Sequence, residues 1–219
     1  MRKNSVFKRG LSWLVTISLI AGLATFPVGA AGTTYYVSPT GDDAADGLTV
    51  DSPLLNIKTA YDKAESGDTI EITDDMDLTM PVGEFNDNKD ITITSSDANT
   101  ITYTGTDSID VTSSGLFKVN SGEVTFRSVN INMNMANKAL SGRALFAGQD
   151  ATVYVEDCDF VGGAYVDGVQ GGASIYVHSG AEVYLKGVTS IANNVSAKAG
   201  GGVFVADGGT LGISDEAIL

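Results

Sequence analysis

From Leu116 onward the chain repeats one pattern every 28 to 30 residues. Leu116-Phe117, Leu145-Phe146, Ile175-Tyr176 and Val203-Phe204 each open a unit with an aliphatic–aromatic pair. Alternating apolar pairs follow: Val124/Phe126, Val153/Val155, Val183/Leu185 and Leu211/Ile213. A third set comprises Val129/Ile131, Cys158/Phe160 and Val188/Ile191, with Leu219 in step with Ile191. A fixed period with strand-like alternation inside it marks a solenoid. One unit cannot bury its own apolar face, so each must stack on its neighbours.

Aligning the units predicts interior files. Val124, Val153, Val183 and Leu211 fall in one column, and Phe126, Val155, Leu185 and Ile213 in another on the same face. Cys158 shares a column with Val129 and Val188, which predicts a buried, inert thiol. His178 aligns with Val119, Gly148 and Ala206 and has no acidic or cysteine partner repeated beside it, so it reads as a surface or turn histidine. The Phe117, Phe146, Tyr176, Phe204 ladder and the aliphatic residues beside it cannot both point inward. Lys118 shares the aliphatic parity, which leaves that assignment open.

Arg2, Lys3, Lys8 and Arg9 precede an apolar run from Leu11 to Phe26, followed by small residues around Val28 and Ala30. These are the three regions of a secretory signal peptide spanning 1–31. No later stretch could cross a bilayer as a helix. All 27 acidic residues lie beyond this segment and four of the 13 basic ones lie inside it, leaving 27 acids against 9 bases and a net charge of −18. Such a balance argues against nucleic acid, whose phosphates demand Lys and Arg. It fits an exported protein, secreted or on a bacterial cell surface. With a single cysteine there is no disulfide framework, so stability must come from stacking.

Residues 32–219 read as one domain in three parts: 32–73, 74–114 with irregular coils, and 115–219 with regular coils. Thr34–Ser38 is a short strand, followed by an acidic turn-rich loop through Gly47. Asp51-Ser52-Pro53 starts a helix with a capping residue and proline in its first turn. Ile57, Ala60, Tyr61 and Ala64 share its apolar face, and Ser66-Gly67-Asp68 ends it. Such a helix would cover the starting edge of the solenoid. Strands are expected at 69–73, 91–94 and 101–103, with polar loops at Asp74–Asp77 and Asn86–Asp90. Asn132–Arg143, Gly162–Gly172 and Asn193–Gly202 read as connections on one side of the stack. The chain stops in mid-unit with no polar cap, as the front portion of a longer repeat protein would.

Thr34-Tyr35-Tyr36-Val37-Ser38-Pro39-Thr40-Gly41-Asp42-Asp43, then Gly47, Pro53, Ile57, Ala60 and Gly67-Asp68-Thr69-Ile70, resembles the opening of secreted right-handed parallel β-helix proteins. That group includes pectate-lyase-like enzymes. Asn193-Asn194-Val195-Ser196 leading to Gly200-Gly201-Gly202-Val203-Phe204-Val205 resembles the repeats of polymorphic outer-membrane proteins and adhesin-type β-helices. The resemblance implies an all-β, right-handed parallel β-helix with one short N-terminal capping helix. It is shared by enzymes and non-enzymes, so it specifies fold rather than chemistry.

Two outward columns are candidates for binding. Arg127, Glu156 and Lys186 alternate in sign on successive coils, as either part of an acidic-sugar site or a surface charge ladder. Thr125, Tyr154 and Tyr184 form the other, and two tyrosines one above the other are either a platform for sugar rings or self-protecting β-formers. Asp42, Asp43 and Asp46 form the densest acidic loop, a candidate for calcium or a solvated turn; Asp74, Asp75 and Asp77 have the same status. In the lyases, the resemblance implies, calcium-binding acids and a basic proton acceptor converge on one face. No column here repeats two or three acids beside a Lys or Arg. Asp157 and Asp159 flank Cys158, which leaves a paired-carboxylate hydrolase open, but no complete catalytic constellation is visible. The expectation is a structural, adhesive or carbohydrate-contacting module whose partner is a polysaccharide or envelope glycan. The alternative is the front of a calcium-dependent polysaccharide lyase.

Overall fold

Alternation in Thr69-Ile70-Glu71-Ile72 sends the two isoleucines inward and Thr69 and Glu71 outward, and the strands stacked on it keep that parity. The computed structural model describes residues 32–219 except 111, 136–138, 167–170 and 215. The expected signal segment, 1–31, lies outside the described residues, as does part of the 162–172 connection. Among the described residues no helix is long and apolar enough to cross a membrane.

The first sheet stacks β1 (Thr34–Val37), β2 (Thr69–Ile72), β5 (Asp90–Thr94), β7 (Phe117–Arg127), β9 (Leu145–Glu156), β12 (Ile175–Val177) and β16 (Val203–Val205) in that order. β4 (Gly83–Phe85) pairs with the front half of β7, while β13 (Glu182–Lys186) and β17 (Thr210–Ile213) extend the rear half of β9. The second sheet runs β3 (Met76–Leu78), β6 (Thr100–Tyr103), β8 (Asn130–Asn132), β10 (Asp159–Val161) and β14 (Ser190–Ala192). β11 (Ala164–Tyr165) and β15 (Val195–Ser196) form a third, two-stranded sheet. Every pairing between these strands is parallel, so the chain is a parallel β-solenoid with, among the described residues, one short helix, α1 (Ile57–Lys63). Strand and turn alternate because Ser128, Asp157 and Gly187, at φ near 51°, 54° and 58°, hold successive corners between the first and second sheets. Asp and Ser tolerate this left-handed region better than bulky residues. At Gly187 a Cβ would also collide with the Asp157 carboxylate.

The predicted interior files are present and buried through Val183 and Leu185, while in the last coil Leu211 is half-buried and Ile213 is exposed. Val124 pairs with Val153, Val153 with Val183 and Val183 with Leu211, and the Phe126 to Ile213 column runs beside them. In the second sheet Met76, Ile101, Ile131, Phe160 and Ile191 make a matching file. Aromatic rings thread the interior: Tyr61 stacks on Phe85 at 4.0 Å, and Phe117, Phe126 and Phe160 continue edge to face. All five are buried. This burial is the main driving force for stacking, at about 2–3 kcal/mol for each fully buried large side chain.

The structure corrects several expectations. The helix begins at Ile57 with Asn56 as its N-cap, not at Asp51–Pro53. Leu54 is held extended by its bridge to Val37 and by donating to the Tyr36 carbonyl at 2.8 Å, so the segment before it cannot be helical. The free edge of β1 is met by that same loop: Tyr36 N donates to Gly47 O and Ser38 N to Leu54 O. The loop therefore covers the edge groups, while α1 contributes its buried Ile57, Ala60, Tyr61 and Ala64 face to the core. Met76–Leu78, read as polar loop, is a strand with Met76 buried. The connections are not bare loops, since β11 and β15 pair across two of them.

Two register shifts matter most. Phe117 pairs with Leu145, not Phe146, because β9 accommodates one more residue than β7 between Val119 and Ser121. Phe117 is thereby interior and Lys118 joins the aromatic column instead, while Val119 stands level with Val177 rather than His178. Likewise Cys158 stands level with Thr189, not Val188, because Ser190 pairs with Asp159. Val188 is an extra residue pushed out after the Gly187 corner, 71% exposed, and its N–H donates to Asp157 Oδ1 at 2.8 Å.

Candidate functional site

The outward parity of the first sheet builds the site. Thr34, Thr69, Thr92, Thr125, Tyr154, Tyr184 and Gly212 occupy one column across seven strands. Beside it runs Tyr36, Glu71, Thr94, Arg127, Glu156 and Lys186. Both candidate columns of the sequence reading are thus real and adjacent. The threonine run leading into them was missed, because the early coils differ in length and conceal the repeat.

Tyr154 and Tyr184 stack with ring centres 5.3 Å apart and planes 20° from parallel. Both are half-buried. A side chain at Gly212 would collide with the Tyr184 ring, so that ring leans over the glycine. The two rings overlap as tiles rather than lying side by side. Tyr184 donates its hydroxyl to Glu182 Oε2 at 2.9 Å, and this bond to a carboxylate raises its pKa above the ordinary tyrosine value.

Glu156 is the hub of the charged column. Arg127 Nε and Nη2 reach its Oε2 at 2.9 and 2.8 Å, and Lys186 Nζ reaches Oε1 at 3.3 Å. Lys186 Nζ also lies 3.8 Å from the centre of the Tyr154 ring, a cation–π contact that welds the charged column to the aromatic one. This arrangement offers ring surface, hydroxyls and fixed charge on one rigid face, the combination that hydrogen-bonds and stacks on a sugar.

The acidic loop is turned toward its own backbone. Asp42 Oδ1 accepts from Ala44 N, Asp46 Oδ1 from Leu48 N, and Asp43 Oδ1 from Leu55 N and Asn56 N. Asp43 Oδ2 accepts from the Asn56 amide. Burial alone would raise the Asp43 pKa, but these bonds outweigh it and hold the carboxyl below 3.8. Asp43 thus ties the loop to the start of α1, the role expected of Asp51. Asp74 accepts from Ser38 and Thr73, and Asp75 from Thr100 N. Among the described residues no three metal-ligating side chains are gathered.

Cys158 is buried, and desolvation pushes its thiol up to about 12. His178 contacts the Ser179 carbonyl through Nδ1 and sits tilted beside Phe146 and Tyr176. The aromatic ladder that the repeat suggests is present from Phe146 onward, with Lys118 in the place expected for Phe117. Phe146, Tyr176 and Phe204 pile at 5.2 and 5.4 Å, with Lys118 over the Phe146 ring. Arg143, read as the end of a connection, is fully buried with its guanidinium 4.8 Å from the Tyr176 ring and 5.8 Å from Tyr165. Burial lowers its pKa to about 10, so it stays charged at neutral pH and clamps the connection onto the sheet.

No family model matches the chain, and no curated protein matches it. Among solved structures it is similar to a GH136 lacto-N-biosidase from Eubacterium ramulus, at 15% identity and a TM-score of 0.41. The match covers 80% of this chain and 40% of that one, so the chain spans well under half of that enzyme's length.

Proposed function

We propose that this is an exported bacterial β-helix module, secreted or held at the cell surface, whose outward face contacts glycans in an adhesive or scaffolding role. The observation that carries this reading is the Tyr154–Tyr184 stack locked to the Arg127–Glu156–Lys186 row. Stacked aromatic edges and hydroxyls beside charged donors and acceptors suit a polyhydroxylated ligand. The sheet and the contacts among these side chains hold them in place before binding, which lowers the ordering cost.

The test compares glycan binding by the wild type and Tyr154→Ala/Tyr184→Ala. Loss in the variant, with an unchanged circular dichroism spectrum, supports the site, whereas equal retention removes it. Incubation with polygalacturonate and calcium, followed by ultraviolet absorbance of unsaturated product, tests for lyase action. Activity abolished by chelation would replace the present reading with an enzymatic one.

A further inference from the structure

Four strands before Tyr154, the same face holds a hollow of about 450 Å³. Thr34, Tyr36, Val50, Thr69, Glu71 and Asp97 line it. Thr34 and Thr69 belong to the column that continues through Thr92 and Thr125 to Tyr154. Tyr36 and Glu71 belong to the column that continues through Thr94 to Arg127 and Glu156. Hollow and tyrosine stack are therefore two ends of one track, joined through half-buried Thr92 and buried Thr125. The stacking order places them about 19 Å apart at the usual spacing between strands. The spacing between adjacent strands is close to the rise of one pyranose unit in an extended chain, so a linear glycan laid across the strands keeps step with them from the hollow to the tyrosines.

The charge on the face selects among such chains. Glu71, Asp90, Glu123, Glu156 and Glu182 all point outward from these strands, against Arg127 and Lys186. Both cations are already bound to Glu156. Among the described residues that line the hollow there is no Lys or Arg to face Glu71 and Asp97, and Glu71 Oε1 is an acceptor for Ser96 N and Oγ at 2.7 and 2.8 Å. A polyanion would be repelled at the hollow end of the track.

Resting on the glycan-contacting reading above, we propose that the Tyr36–Glu71 hollow is a second contact point for the same ligand, a neutral linear polysaccharide bound along the solenoid axis. Carboxylates there accept hydrogen bonds from sugar hydroxyls, and Tyr36 supplies the apolar surface.

Titration calorimetry of the full chain with cello-oligosaccharides, disaccharide to hexasaccharide, tests this beside oligogalacturonates of equal length. The expected result is affinity rising about tenfold once the oligomer spans both ends, the size of one added contact. Tyr36→Ala and Glu71→Gln should each remove that rise and leave the binding of short oligomers unchanged. Glu71→Gln keeps the oxygen that Ser96 binds, so it preserves the fold. No length dependence, tighter binding of oligogalacturonate, or full hexasaccharide affinity in both variants would overturn the proposal. If the hexasaccharide is lost in Tyr154→Ala/Tyr184→Ala but not in the hollow variants, the tyrosine site stands and the track falls. If none of the cello-oligosaccharides binds, the track falls regardless of the tyrosines.

Discussion

Lys186 holds its ammonium 3.8 Å from the centre of the Tyr154 ring, one coil away, while the same nitrogen reaches Glu156. The contact couples two outward columns that sequence alignment treats as separate. It also makes the tyrosine stack a fixed surface rather than a pair of swinging rings.

Lys186→Met keeps the aliphatic stem and removes the charge. The side chain is about half exposed, so the expected loss is about 0.5–1 kcal/mol. A double-mutant cycle with Tyr154→Leu, read by urea unfolding, should recover most of that as coupling. Strict additivity would show that the contact is idle.

Thr189 and Val188 provide a sharper test of register. Thr189 is buried; its Oγ1 lies 3.1 Å from the Val155 carbonyl and 2.6 Å from that of Lys186, and it accepts from Cys158 N. Thr189→Val leaves buried groups without their partner and should cost about 1–3 kcal/mol. Val188→Ala, on an exposed position, should change stability by less than about 0.5 kcal/mol. The reverse order in a thermal or urea melt would restore the alignment of Cys158 with Val188.

Cys158 should be silent to a thiol reagent in the native state and react fully after denaturation. Its pKa is raised from 9.0 to about 12 by burial. Below pH 9 both states keep the proton. Between those values the unfolded chain ionises and the folded one does not, so stability falls as pH rises through that window. Cys158→Val should flatten that part of the alkaline stability profile.

Asp43 acts at the other end of the scale. Its carboxyl lies below its ordinary value of 3.8, since hydrogen bonds from Asn56 and Leu55 outweigh its desolvation. The stabilisation is complete above that pH and is lost as pH falls through the lower folded value. Asp43→Ala should lower the melting temperature at pH 7 and converge with the wild type in strong acid. An unchanged melt at pH 7 would show that the loop does not anchor α1.

Phe117→Ala should cost about 3–5 kcal/mol, since the register places this ring in the core against Phe85 and Phe126. Phe204→Ala, at the partly exposed end of the outer stack, should cost distinctly less. Equal losses in denaturant unfolding would place both rings in one column, as the repeat alone implies.

What the sequence by itself determined is the architecture and the files that matter most. Alternation at Val124/Phe126, Val153/Val155 and Val183/Leu185 forces one face inward, and the nearly equal spacing of those units, 29 and 30 residues, lets them stack. Tyr154, Tyr184, Arg127, Glu156 and Lys186 were legible because they lie in that nearly regular region. Only the tertiary structure decided where single residues slip. The extra residue in β9 that turns Phe117 inward, and Val188 bulging beyond Gly187, depend on parallel backbone bonds between coils, which carry no signature in side-chain type. The threonine track was hidden for a related reason. Thr34, Thr69, Thr92 and Thr125 are separated by unequal loops, and loop length is free to vary where the strands at either end are held by their neighbours.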